Sequence, residues 1–285
     1  MPASQTRLYD DVAFLTSLQP ARNYLNLESL NRAADYIKTE FEKLSGLVLE
    51  QAFEADGRRY RNIIASFGPP EAARIIIGAH YDVDGDQPGA DDNASAVAGL
   101  LETARLLHQL PLKYRFDFVA YPNEEQPYAA TEYMGSAVHA KSLHKAGTAV
   151  RAMVCYEMIG YFSDLPGSQQ FPDEALALLY PQVGDFIIVL GKMGQEPFTY
   201  HMQQHMQAHA GSLNVQQISL PESMPLAKLS DHRNYWTYGY DAVMISDTSF
   251  LRNPHYHKPT DTIDTLDFRR MAQVVDGVLG AVLAL

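Results

Sequence analysis

The stretch Arg74-Ile-Ile-Ile-Gly-Ala-His80 constrains the fold more than any other part of the chain. It is a continuous apolar run between turn signals. A strand with apolar side chains on both sides must be covered on both faces, so this segment reads as an interior strand. Its neighbours alternate in character. Residues 28 to 46 read as an amphipathic helix, with Leu30, Ala33, Ala34, Ile37, Phe41 and Leu44 at helical spacing. Residues 61 to 67 read as a strand closed by Gly68-Pro-Pro70. Residues 92 to 109 read as a helix, with Asp92 and Asn93 at its start as a helix N-terminus prefers. Further strands are expected at 115 to 121, 149 to 157, 185 to 190 and 241 to 246, and helices at 131 to 145, 198 to 210 and 265 to 285. Strands alternating with helices predict an α/β fold with a mixed, mostly parallel central sheet flanked by helices. There is no internal repeat, low-complexity block or convincing linker, so residues 1 to 285 are expected to form a single domain.

Composition narrows the function. The net charge is −12, with an isoelectric point near 5.2. An acidic chain is a poor partner for nucleic acid, whose phosphates require Lys and Arg to displace counterions. It is equally unsuited to an anionic membrane surface. No segment is long and apolar enough to span a bilayer. The first residues lack the apolar run of a signal peptide, so the chain as written is expected in the cytoplasm. A signal segment removed ahead of it would place it in the periplasm or outside the cell. Cys155 is the single cysteine and sits in a strand-like context, which predicts an inert core thiol.

In open α/β sheets, ligands bind beyond the carboxyl ends of the strands. The strand ending at Ala79 delivers His80-Tyr-Asp82, and the loop after it carries Pro88-Gly-Ala-Asp-Asp-Asn93. The strand ending at Tyr121 delivers Glu124-Glu125, and the one ending at Tyr156 delivers Glu157. A late loop contributes His255-Tyr-His257. Imidazole and carboxylate oxygen are zinc ligands. Two zinc ions roughly 3.5–4 Å apart can share a carboxylate and a water, while a carboxylate off the metals moves the proton.

These segments, with Gly78-Ala-His-Tyr-Asp82, Gly135-Ser136, Ser230-Asp-His232 and His257-Lys-Pro-Thr-Asp-Thr262, resemble the co-catalytic zinc exopeptidase family. That family includes bacterial zinc aminopeptidases, glutaminyl cyclases and glutamate carboxypeptidases. The resemblance runs from about residue 25 to the C-terminus. It implies that His80 and Glu157 bind one zinc, Glu125 and His257 the other, and Asp92 bridges both. It makes Glu124 the general acid/base and Asp82 the partner that orients His80. The family usually has Asp where this chain has Glu157, whose extra methylene must be accommodated. Residues 126 to 134 form a longer segment than in the simple bacterial enzymes and are expected to wall the substrate site.

Other residues have competing readings. Asp231 and His232 are candidates for the substrate pocket, although Asp231 also suits the N-cap of a helix through Trp236. His201, His205 and His209 share a helix face but lack the glutamate of a zinc-peptidase helix, which favours a solvated face. Asp82-x-Asp84-x-Asp86 fails as a calcium loop because its sixth and twelfth positions are Gln87 and Asn93. The sequon Asn93-Ala-Ser95 lies at the proposed metal site and is discounted. The leading expectation is an aminopeptidase with two zinc ions acting on peptide substrates. The alternatives are a single-zinc glutaminyl cyclase and a non-catalytic binding module. Retention of Glu124 speaks against the last, since a binding module needs no general base.

Overall fold

The computed structural model describes residues 1–285. Helices α1 (Gln5–Thr16) and α2 (Leu27–Glu42) precede an antiparallel hairpin of β1 (Leu47–Ala55) and β2 (Arg58–Phe67). There follow β3 (Arg74–His80), α3 (Ala96–Leu107), β4 (Arg115–Tyr121), α4 (Gly135–Lys145) and β5 (Val150–Tyr156). The chain continues through α5 (Glu174–Leu179), β6 (Phe186–Lys192), α6 (Glu196–His209), β7 (Asn214–Leu220), α7 (His232–Trp236), β8 (Ala242–Ser246) and α8 (Phe268–Leu283). All eight strands form one sheet in the order β1-β2-β4-β3-β5-β8-β6-β7. The four central strands, β4, β3, β5 and β8, run parallel, while β2 and β6 flank them antiparallel. This is the expected α/β sandwich.

The apolar run of β3 shows why both faces are covered. Ile75 and Ile77 enter a large core packed with α1, α2, α3, α6 and α8. Ile76 enters a smaller core on the opposite face, with Cys155, Tyr235 and Trp236. Cys155 is buried there, as its context suggests. No helix is long and apolar enough to cross a membrane.

Several boundaries differ from expectation. The helix expected from residue 92 becomes regular only at Ala96, because Asp92 and Asn93 are non-helical (φ −102°, ψ 91° and φ −134°, ψ 34°). Asp92 therefore caps nothing and is free to turn into the cleft. Helix α4 starts at Gly135 rather than 131 because Tyr128 is buried between Tyr24 and Tyr60, holding the preceding segment against β2.

Candidate metal centre

The carboxyl ends of β3, β4 and β5 meet where strand order reverses around β3, the place an open α/β sheet offers a ligand. His80 is the last residue of β3. Asp92 arrives on an irregular turn opened by Gly89, whose φ of 61° is left-handed. A Cβ on Gly89 would collide with the Asp92 carbonyl and the Val83 side chain, so this tight approach requires glycine. Glu124 and Glu125 follow a turn at Asn123 (φ 66°). Both of their backbone N–H groups donate to the Asp82 carboxylate, at 3.2 and 3.1 Å. That turn brings two adjacent side chains, which an extended strand would point apart, into one cleft. Glu157 leaves β5, and His257 sits in the late loop with φ 53°.

Asp92 lies between the two imidazoles. Its Oδ1 is 3.4 Å from His80 Nε2, and its Oδ2 is 3.1 Å from His257 Nε2. Glu157 Oε2 stands 3.4 Å from His80 Nε2, and Glu125 Oε1 stands 3.2 Å from His257 Nε2. The cleft thus accommodates the longer Glu157 side chain, which also accepts a 2.6 Å hydrogen bond from the Ser230 hydroxyl. Glu124 is farther out, 4.0 Å from His80 Nε2.

The electrostatics favour a cation. Burial pushes the Glu125 carboxyl up to about 8, with the charge of Asp92 adding to it. Burial likewise pushes Glu124 well above the ordinary range, assisted by Glu125 and Glu157. Burial also raises Asp92, but the His257 and His80 imidazoles outweigh it and hold that carboxyl well below the usual range. His80 Nε2, Asp92 Oδ1, Glu125 Oε1 and His257 Nε2 are all buried without a hydrogen-bond partner. Ligand atoms of His80, Asp92 and Glu125 lie within 4.8 Å of one another, as do those of Asp84, Glu125 and His257. Unpaired buried carboxylates are costly, and a divalent cation compensates them. The donor set of imidazole nitrogen and carboxylate oxygen fits zinc.

Asp82 differs in detail from its expected role. Its carboxylate is occupied mainly by the Glu124 and Glu125 N–H groups, while His80 Nδ1 faces both its backbone carbonyl (3.3 Å) and Oδ1 (3.4 Å). Asp231 does not cap α7. Its own backbone is already helical (φ −57°, ψ −31°), and its side chain makes no cap bond. It is instead fully buried, with both oxygens unpartnered and the carboxyl pushed up to about 7 by burial. His232 is also buried. Its Nε2–H donates to the Ala227 carbonyl at 2.8 Å, and its ring packs edge-on against Trp236.

An apolar cavity of about 90 Å³ opens beside the cleft and shares Glu157 with it, while Tyr256, stacked on His257, also lines it. Its wall includes Ile188 and Leu190 of β6, Leu220 of β7 and Met244 of β8, whereas Asp231, His232 and residues 126 to 134 contribute nothing to it. The 126 to 134 segment is drawn away by the packing of Tyr128. Asn93 is buried and donates to Glu157, so the sequon is inaccessible. On α6, His209 Nδ1 bonds the His205 carbonyl, and the rings of His201 and His205 lie 4.4 Å apart with 41° between their planes.

Two supporting residues have weak sequence signals. Arg22 is buried, and its guanidinium donates to the carbonyls of Leu15, Tyr81, Pro88 and Gly89. It ties the N-terminal segment to the loops carrying His80 and Asp92, and nothing in its local sequence marks it. Asp261 accepts the backbone N–H groups of Asp91 and Asp92 at 2.9 and 3.1 Å, joining the Asp92 turn to the His257 loop. Its place four residues after His257 was the available signal.

Residues 62–282 match the description Peptidase family M28. The chain is 45% identical over 285 aligned residues to the uncharacterized protein YfbL of Escherichia coli (strain K12), covering 97% of this chain and 87% of that one. The structure of the Legionella pneumophila LapA aminopeptidase aligns with a TM-score of 0.79 at 19% identity, covering 99% of this chain and 72% of that one. Porphyromonas gingivalis glutaminyl cyclase aligns with a TM-score of 0.74 at 21% identity, covering 98% of each chain. At those identities the two structures speak for the fold, while the match across most of the chain places it within peptidase family M28.

Proposed function

We propose that the protein is an aminopeptidase that uses two zinc ions to release N-terminal residues with large apolar side chains from peptides. The observation that carries this reading is Asp92, whose two oxygens face different imidazoles. A bridging position serves two ions, whereas a single-zinc cyclase needs only Asp92, Glu125 and His257. Zinc ions held there would lower the pKa of water and polarise the scissile carbonyl. His80 and Glu157 would hold one ion, Glu125 and His257 the other. Glu124 stands clear of that set and faces the same space. It would take the proton of the attacking water and return it to the leaving amine. The adjoining cavity, walled by Ile188, Leu190, Leu220 and Met244, supports an apolar terminal residue.

The test is digestion of a peptide library by zinc-supplemented protein, read by mass spectrometry. The expected products are peptides shortened by one residue from the amino end, fastest for terminal Leu, Met and Phe. Trimming from the carboxyl end would replace this reading with a carboxypeptidase. Loss of ammonia from N-terminal Gln peptides without shortening would replace it with a glutaminyl cyclase. An inert protein would leave a binding module.

A further inference from the structure

Each of the two imidazoles presents Nε2 to the carboxylate cluster, and each has an aspartate behind its other nitrogen. His80 Nδ1 faces Asp82. His257 Nδ1 faces Asp84, whose Oδ2 is 3.5 Å away, while His257 Nε2 faces Asp92 and Glu125 at 3.1 and 3.2 Å. Asp82 and Asp84 flank Val83, which is buried in contact with the Asp92 turn. This tripeptide, which follows the end of β3 and bends at Asp84, presents one carboxylate to each ring. The N-terminal segment fixes this tripeptide in place. The Val83 N–H donates to the Arg22 carbonyl, and Asn23 Nδ2 donates to the Gly85 carbonyl at 2.6 Å. The remaining freedom of His257 is limited by Tyr256, which stacks on it at 3.8 Å between ring centroids with 19° between planes.

We infer that Asp84 is a positioning residue for His257, holding the proton on Nδ1 and so leaving the Nε2 lone pair directed at a metal. The inference rests on the two-metal reading above. A neutral imidazole carries one proton, and the partner at one nitrogen decides which tautomer is present. With a carboxylate at Nδ1, the tautomer with a free Nε2 is favoured without any rearrangement on metal binding. Asp84 meets His257 at Nδ1, the nitrogen opposite the one that faces Asp92 and Glu125. Its side chain is 34% exposed, so solvent screens the pair and the effect belongs at the lower end of those seen for outer carboxylates. The Asp82-x-Asp84-x-Asp86 run, which has the wrong residues for a calcium loop, thereby acquires a function as the outer support of two histidines.

The experiment is a zinc titration of the metal-free full-length protein against a chromophoric chelator, for wild type, Asp84→Ala, Asp84→Asn and His257→Ala. Wild type is expected to take up two ions. Asp84→Ala should bind one of them about tenfold more weakly and leave the other unchanged. Asp84→Asn, whose amide oxygen can still accept the Nδ1 proton, should fall between. The melting temperature of metal-free Asp84→Ala should match wild type. Combining Asp84→Ala with His257→Ala should cost no more than His257→Ala alone, since the two act on one ion. The inference is overturned if Asp84→Ala binds both ions as wild type does, if it weakens both equally, or if the double variant is additive. Failure of wild type to bind two ions would instead bring down the two-metal reading, and this inference with it.

Discussion

Replacing Arg22 with Met should destabilise the metal-free protein by about 7 °C. The guanidinium is 1% exposed and makes four hydrogen bonds, to carbonyls at 3.0, 3.2, 2.5 and 2.7 Å. Burial lowers its pKa, but only to about 10, so it stays charged at neutral pH; the nearby Asp261 and Asp92 charges oppose the fall. Met fills most of the volume, so the main loss is four orphaned acceptors at about 1 kcal/mol each, or about 4 kcal/mol. Unfolding entropy of about 2.1 cal/mol/K per residue gives about 0.6 kcal/mol/K for 285 residues, hence the 7 °C. Differential scanning calorimetry after chelator dialysis measures it directly. Arg22→Lys should recover only part of the loss, because an ammonium cannot reproduce the planar fork. A shift of less than about 2 °C for Arg22→Met would show that these carbonyls do not depend on it.

Two further outcomes follow from the cavity and from the buried Asp231 carboxyl. Ile188→Trp should fill the apolar cavity and lower kcat/KM for Leu-terminal substrates by about 10–100-fold, the value of burying one such side chain, while Ala-terminal substrates change little. Equal losses for both would mean the cavity does not receive the terminal side chain. Burial raises the Asp231 carboxyl from its ordinary 3.8 to about 7, so the folded state holds a proton that the unfolded state releases. The stability this contributes is full at low pH and lost as pH rises through about 7. Metal-free Asp231→Asn should therefore gain on wild type between pH 5 and pH 8, by on the order of 2 kcal/mol. Parallel stability curves would refute the shift.

The interior of the sheet was legible because β3 and β4 are buried on both faces and read as apolar runs. The edges were not. In β7, Asn-Val-Gln-Gln-Ile-Ser-Leu is largely half-exposed and carries little apolar signal. Strand β1 is mostly exposed on its outer face, so its alternation is diluted by Glu50, Gln51 and Glu54. Helix α1 buries Asp11 along with Leu8, Val12 and Leu15, which blurs its apolar stripe. The cluster of His80, Asp92, Glu124, Glu125, Glu157 and His257 was legible because short polar segments directly follow the strands that position them. The pocket was not, since its wall comes from β6, β7 and loops whose arrangement depends on β6 running antiparallel to β8. Asp231 was half legible: its motif marked it as part of the site, but not that it would be buried without a cap bond.

The central claim is a division of labour, with Asp92 holding metal and Glu124 moving the proton. The most direct measurement is zinc content alongside steady-state kinetics for Glu124→Gln and Asp92→Asn. Glu124 lies outside the 3.1–3.4 Å contacts that join the other carboxylates to the imidazoles. Glu124→Gln should therefore keep wild-type zinc content and KM while kcat falls by about 10²–10⁴-fold. Asp92→Asn should lose most bound zinc together with its activity. Zinc loss in Glu124→Gln, or two retained ions and full turnover in Asp92→Asn, would contradict the account.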